Sequence, residues 1–263
     1  MERSITIGWL PCYGNWGDQL NKVLCEKISE KKVLLTDAIN PQEFCYYNIG
    51  SILGWITTSN CEVWGSGFIS EDSKLHSIPR KIHAVRGPLT REKILEQNVE
   101  CPEIYGDPAL LYPMFYMPFV EKKYKYGIIP HYVDQKSEWV AKFQNSQTVK
   151  IINVLDPTIN RFVNDVNSCE IILSSSLHGI ICGDSYGIPS YWIKLSDNVI
   201  GEGFKFMDYF HSVKRSDRNP IVPKRHDKIE DLTYQFYSYN IDINLDKLYD
   251  ACPFKFNYNE FSI

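Results

Sequence analysis

The sequence predicts an α/β fold with parallel sheets, arranged as two similar halves with a cleft between them. Three observations predict it. Short apolar, strand-like runs alternate with segments of helical spacing along most of the chain. Each run ends in a polar or glycine-rich turn, the place where open α/β sheets hold their ligands. A proline-rich interruption near the middle is followed by a second round of the same alternation.

In order, residues 4–10 (SITIGWL) read as a strand, PCYGNWGD as a loop, and residues 19–29 as a helix with Leu20, Val23, Leu24 and Ile28 on one face. Short strands follow at 33–35, 61–64 and 82–85, and a helix at 90–97. Residues 108–125 carry three prolines and then a Glu/Lys cluster, and read as a linker. The second round places strands at 126–130, 149–154, 170–173 and 190–193 and helices at 137–143, 158–166 and 177–186. Beyond Leu195 the periodicity weakens. SDNVIGEGFKF reads as a loop near the cleft, and 206–213, 228–238 and 245–251 as helical segments.

Composition excludes several function classes. Charged residues at 23% and hydrophobic residues at 44% are those of an ordinary globular protein, so disorder and coiled coil are set aside. A formal charge of -4 offers no basic field for nucleic acid, so an anionic ligand needs a local cationic pocket. The eight cysteines show no CxxC or Cys/His metal spacing, which predicts reduced thiols, no zinc and a cytoplasmic setting. No apolar run reaches the ~18 residues of a membrane span, and the N-terminus has too short an apolar run for a signal peptide. Aromatic residues at 14% fit a core and interdomain seam, with sugar-stacking surfaces as the alternative.

Five motifs sit at strand ends. In YGNWGDQL, Gly14 and Gly17 permit a tight turn into a helix, and Asp18 stands where a cap of that helix belongs. The spacing is neither GxGxxG nor a P-loop. In VWGSGF, Gly65 and Ser66 let a ligand or the other half approach the backbone, or make an ordinary turn. In HAVRGPLTREKIL, Arg86 leaves a strand end, where a guanidinium can fork onto a carboxylate or phosphate; the alternative is an ion pair across the halves to Asp107 or Asp134. Thr90 reads as the cap of the next helix. His131 and Asp134 lie at the tip of the first strand of the second half, where a histidine can bind an anion, act as acid or base, or bond to backbone. Finally, in IILSSSLHGIICGDSYGIP an apolar strand hands over to a helix through Ser174, Ser175, Ser176 and His178. Hydroxyls and free N–H groups at a helix N-terminus form an anion seat, and a first-turn histidine can deliver a proton there; capping alone is the alternative.

In this order, GNWGDQL, VWGSGF, VRGPLTREKIL, YGDPALL and SSSLHGIICGDSYGIP resemble the polysaccharide pyruvyl transferase family, over most of residues 5–195. The resemblance implies two Rossmann-like halves in a GT-B-like arrangement: residues 1–120 on the acceptor side, and 121–263, with a C-terminal helical tail, on the phosphoenolpyruvate side. It implies transfer of pyruvate from phosphoenolpyruvate onto two hydroxyls of a sugar as a ketal, in capsular or exopolysaccharide assembly. Carried over by position, Arg86 is the arginine on the phosphoenolpyruvate anion and His178 the catalytic histidine. The family often has Arg-Leu-His where this chain has Ser176-Leu177-His178, so one expected cation is missing. His131, Lys194, Lys205, and the serine and N–H seat are the candidates to replace it.

The expected site is therefore His178, Arg86 and Asp18 for catalysis, with Asp18 the proton acceptor ahead of Asp107 and Asp134. Asn15, Gly65, Ser66, His131, Ser174, Ser175, Ser176 and Lys194 would bind substrate. No metal and no cofactor beyond the co-substrate phosphoenolpyruvate are expected. The expected acceptor is a sugar or lipid-linked oligosaccharide, with at most peripheral contact at the inner face of the membrane. Two other readings fit the same sequence: a GT-B glycosyltransferase using a nucleotide sugar, and a non-catalytic glycan-binding member of the fold.

Overall fold

The computed structural model describes residues 4–10, 14–217 and 219–256. It contains two sheets, both wholly parallel. The first joins β1 (Ser4–Trp9), β2 (Lys32–Asp37), β3 (Cys45–Tyr47), β4 (Cys61–Trp64) and β5 (Lys81–Ala84) in the order β2-β1-β3-β4-β5. The second joins β6 (Tyr124–Ile129), β7 (Val149–Ile151), β8 (Cys169–Ser174) and β9 (Ser190–Trp192) in the order β7-β6-β8-β9. Helices α1 (Trp16–Ser29), α2 (Pro88–Leu95), α3 (Glu138–Ala141), α4 (Ile159–Asn167), α5 (Leu177–Ser185), α6 (Phe204–Ser212) and α7 (Leu245–Asp250) cover them. This α/β architecture with two parallel sheets is the expected one.

Several elements differ from the sequence reading, each for a local reason. Strand β3 is missing from that reading because it is three residues long and meets β1 only at Ile7–Tyr46. Helix α1 starts at Trp16, not Gln19, and its cap is Asn15, not Asp18. Asn15 Oδ1 accepts from the N–H of Gly17 (3.0 Å) and Asp18 (3.4 Å), while the Asp18 carboxylate accepts from the Asn15 N–H, closing a capping box. Helix α2 begins at Pro88, whose missing N–H costs nothing at a first turn, so Thr90 is free to bond elsewhere. Residues 108–114 are not linker. They form the 3-10 helix Pro108–Met114, capped by Asp107, and bury Leu110, Leu111 and Tyr112 in the main core.

That main core is shared by both halves. Trp16, fully buried at the start of α1, stacks on Phe162 of α4 (5.4 Å, 22°) and meets Tyr112 edge-on (6.4 Å). Its backbone N–H donates to Val154 O beyond β7 (2.8 Å). The end of the chain crosses back to the first half: Trp64 Nε1–H donates to Leu248 O of α7 (2.9 Å), and Phe254 packs edge-on against Trp64 and Tyr46. These ties hold the strand ends of the two sheets in one fixed relation. Seven described cysteines are buried free thiols, and Cys12 lies outside the described residues. Among the described residues no helix is long and apolar enough to cross a membrane.

Because Trp16 joins both halves, its truncation is expected to destabilise more than an average core change. Trp16→Ala should cost about 3–5 kcal/mol, read as a lower urea midpoint at unchanged slope.

Candidate active site

Both sheets reverse their strand order once, the first between β1 and β3 and the second between β6 and β8. In parallel α/β sheets ligands settle beyond the carboxyl ends of the strands at such reversals. Here the two reversals face a single cavity of about 280 Å³. After β1 and β3 come Leu10, Asn15, Asp18, Ser51, Ile52 and Trp55. After β6, β8 and β9 come His131, Tyr132, Val133, Ser176, His178, Asn198, Ile200 and Lys205.

His178, in the first turn of α5, is only 8% exposed. Its Nδ1 lies 2.6 Å from Asn15 Oδ1. That amide is oriented by its own Nδ2, which donates to Asp18 Oδ2 at 2.6 Å, so the oxygen faces the ring and acts only as acceptor. Nδ1 therefore carries a proton, and Nε2 is the nitrogen left for exchange. Nε2 faces the buried Asp107 carboxylate at 3.8 Å. Gly17 makes the approach possible: a Cβ there would run into the imidazole. The glycine of the first motif is thus required by a histidine on the other sheet.

The second half makes its wall of the cavity electropositive. Lys205, in the first turn of α6, is 8% exposed and forms no ion pair among the described residues. Loss of hydration, then the nearby Arg86 guanidinium, holds its ammonium down to about 8, while Asp18 pulls the other way. His131 is pushed down to about 3, by burial first and then by Lys205 and His178, so it is neutral. Its Nδ1 accepts from the Val133 N–H, which leaves the proton on Nε2. Ser176 caps no N–H of α5 with its side chain and lines the cavity beside the helix N-terminus. Opposite stands Asp18, half-buried, its carboxyl raised to about 6 chiefly by burial against the pull of His178.

Of the expected site residues, the structure brings Asn15, Asp18, His131, Ser176 and His178 together. It does not bring Arg86 there. That guanidinium is 1% exposed and fully engaged: Nε donates to Asp208 Oδ2 (3.0 Å), Nη1 to Ser51 Oγ (2.5 Å) and Nη2 to Phe68 O (2.6 Å). The ion pair across the halves is real, but its acid is Asp208 of α6, not Asp107 or Asp134. Asp208 also accepts from the N–H and hydroxyl of Thr90. Gly65 packs on Pro108, and the Ser66 hydroxyl donates to Gly50 O. Ser174 Oγ bonds Ile129 O and Ser176 O, fixing the turn from β8 into α5. Ser175 donates to Asp134, which also takes the Ser196 hydroxyl. Lys194 is half-exposed, pairs with Asp197, and with Ser175 lines a neighbouring cavity of about 410 Å³.

The motifs quoted above thus lie on the walls of, or directly behind, one cavity. A family model for polysaccharide pyruvyl transferase matches residues 63–197, half of the chain, spanning Gly65 to Lys194. The chain belongs to the polysaccharide pyruvyl transferase family. An uncharacterised protein of Acanthamoeba polyphaga mimivirus is 30% identical over 212 residues, 74% of this chain and 69% of that protein. The succinoglycan biosynthesis protein ExoV of Rhizobium meliloti is 26% identical over 232 residues, 82% of this chain and 66% of that protein. In this member of the polysaccharide pyruvyl transferase family, two residues that no motif marked stand at the site: Asp208, which pairs with Arg86, and Trp55, which lines the cavity. An acid inside the apolar run FKFMDYF was the one signal for Asp208.

The Arg86–Asp208 pair gives a test of its own. Removing one partner leaves the other buried and uncompensated, so Asp208→Ala should cost about 3–5 kcal/mol in urea unfolding. The double change Arg86→Met, Asp208→Leu should recover most of that loss.

Proposed function

We propose that the protein transfers pyruvate from phosphoenolpyruvate onto two hydroxyls of one sugar in a polysaccharide precursor, forming a ketal and releasing phosphate. The observation that carries this reading is a single cavity holding Lys205, an ammonium without an ion pair among the described residues, and His178, whose Nδ1 is held by Asn15 and whose Nε2, facing Asp107 at 3.8 Å, is the nitrogen left for proton exchange. Phosphoenolpyruvate needs both: a cation for its charged groups and an acid for its methylene carbon.

The donor lies against the second half. Lys205, the Nε2–H of His131, the Ser176 hydroxyl and the N-terminus of α5 receive its phosphate and carboxylate. Lys205 supplies the charge that an arginine at position 176 would have given. In the first step a sugar hydroxyl oxygen bonds to C2. Its proton passes to Asp18, and the C2–C3 π electrons take a proton from Nε2 of protonated His178, turning methylene into methyl. The C2–O bond to phosphate then breaks, and the electron pair leaves with phosphate. The resulting oxocarbenium carbon is captured by the second hydroxyl, whose proton returns to His178. Arg86 is a positioning residue, holding Ser51 on the cavity wall. Donor on one half and acceptor on the other is the GT-B-like use of the cleft.

The test is phosphate release from phosphoenolpyruvate in the presence of candidate glycosides, with a product heavier by one pyruvyl group. Consumption of a sugar nucleotide with no phosphoenolpyruvate turnover would replace this reading with glycosyl transfer. His178→Gln should lower kcat by about 10²–10⁴ while calorimetry shows phosphoenolpyruvate affinity within a few-fold of wild type.

Two cavity groups with shifted ionisation shape the pH dependence. Asp18 must be ionised to accept a proton, so kcat/KM should rise as pH increases through about 6. Lys205 must be protonated to hold the donor, so phosphoenolpyruvate affinity should fall as pH rises through about 8. Lys205→Met should weaken that affinity at least tenfold at pH 7 and remove its decline above pH 8.

A further inference from the structure

The two walls of the cavity differ in kind. The second half supplies Lys205, His131, His178 and Ser176, whereas among the described residues the only charged side chain the first half contributes is Asp18. A donor with two anionic groups is drawn to the first set and repelled by Asp18, which leaves the first-half wall for a neutral polyol. On that wall stands Trp55, at the mouth of the cavity and 38% exposed. Trp16, Trp64, Trp139 and Trp192 each have an aromatic ring partner, but no ring of a described residue pairs with Trp55.

Its position is built, not loose. Trp55 ends the 3-10 turn Leu53–Trp55, between the fully buried Leu53 and Ile56. The Leu53 N–H donates to Gly67 O (3.2 Å), and Ser51, two residues before Leu53, accepts from the buried Arg86 guanidinium. The turn is thus clamped from two sides while the indole stays open. An amphipathic ring on a clamped turn, lining the same cavity as the Asp18 carboxylate, suits a pyranose, whose C–H face is apolar and whose hydroxyls project from its edge.

We propose that the acceptor enters as a terminal pyranose with its C–H face on the Trp55 indole and its reacting diol directed at Asp18. Resting on the donor assignment above, this adds the acceptor platform and the direction of entry. A cavity of about 280 Å³ lies just below the ~300–1,000 Å³ usual for small-molecule sites, with room for the donor and about one sugar ring. The rest of the glycan therefore extends outward past Trp55 and the exposed Ile200.

Saturation-transfer NMR with the methyl pyranosides of glucose, galactose and mannose tests this without turnover. At least one should bind the wild-type protein through its ring C–H protons, bind Trp55→Ala at least tenfold more weakly, and recover with Trp55→Phe. Absence of binding by all three, or equal binding to Trp55→Ala, would overturn the platform. A disaccharide bearing the bound sugar at its reducing end should bind at least tenfold more weakly than one bearing it at the non-reducing end; equal affinity would overturn end-on entry. Calorimetry with phosphoenolpyruvate on the same samples separates the two ideas. Glycoside binding lost in Trp55→Ala supports the platform even where phosphoenolpyruvate fails to bind, and that failure counts against the donor assignment alone.

Discussion

One amide oxygen holds the site together. Asn15 Oδ1 receives two N–H groups that open α1 on the first half and the imidazole Nδ1 of His178 on the second. A helix N-terminus has donors to satisfy in any case. Using the same cap to accept from His178 makes the orientation of the histidine a consequence of helix geometry. Gly17 completes the constraint, since only a residue without a side chain lets the ring lie against α1. The Nε2 of His178 is therefore aimed before any ligand arrives, as proton transfer in a small cavity requires.

Around that contact the two halves divide their chemistry. Buried Lys205 and neutral His131 face Asp18 across the cavity; Lys205 and Asp18 each favour the other's charged form, and Lys205 helps hold His131 neutral. Burial alone would push Asp18 and Lys205 toward neutrality; their mutual attraction opposes it. The Arg86–Asp208 pair lies just behind, closed to solvent, and joins the end of β5 to α6. It contributes charge to the region without contacting the cavity, and fixes both the turn that carries Trp55 and the helix that carries Lys205.

Much of this was legible in the sequence. The alternation of apolar runs and helical spacing marks the two parallel sheets, and the polar knots at strand ends mark Asn15, Asp18, His131, Ser176 and His178. What was not legible depends on partners distant in the chain. Arg86 at a strand end looks available until Asp208, 122 residues on, is seen to close over it. The prolines of residues 108–114 suggest a linker, yet Pro108 is well placed at the start of a 3-10 helix and its neighbours are core. Strand β3 is only three residues long, Cys45–Tyr47, too short for an alternation of its own to announce it. Lys205 was one of several possible cations; its place in the first turn of α6 and its burial single it out.

The central claim is that His178 Nε2 delivers a solvent-exchangeable proton to C3 of the donor. The most direct measurement is the mass and proton NMR spectrum of the product formed from phosphoenolpyruvate and an accepted glycoside in deuterium oxide. The account predicts a ketal whose methyl group carries one deuterium, formed with release of one phosphate. A product that keeps the methylene double bond, or a methyl group without deuterium, would contradict it.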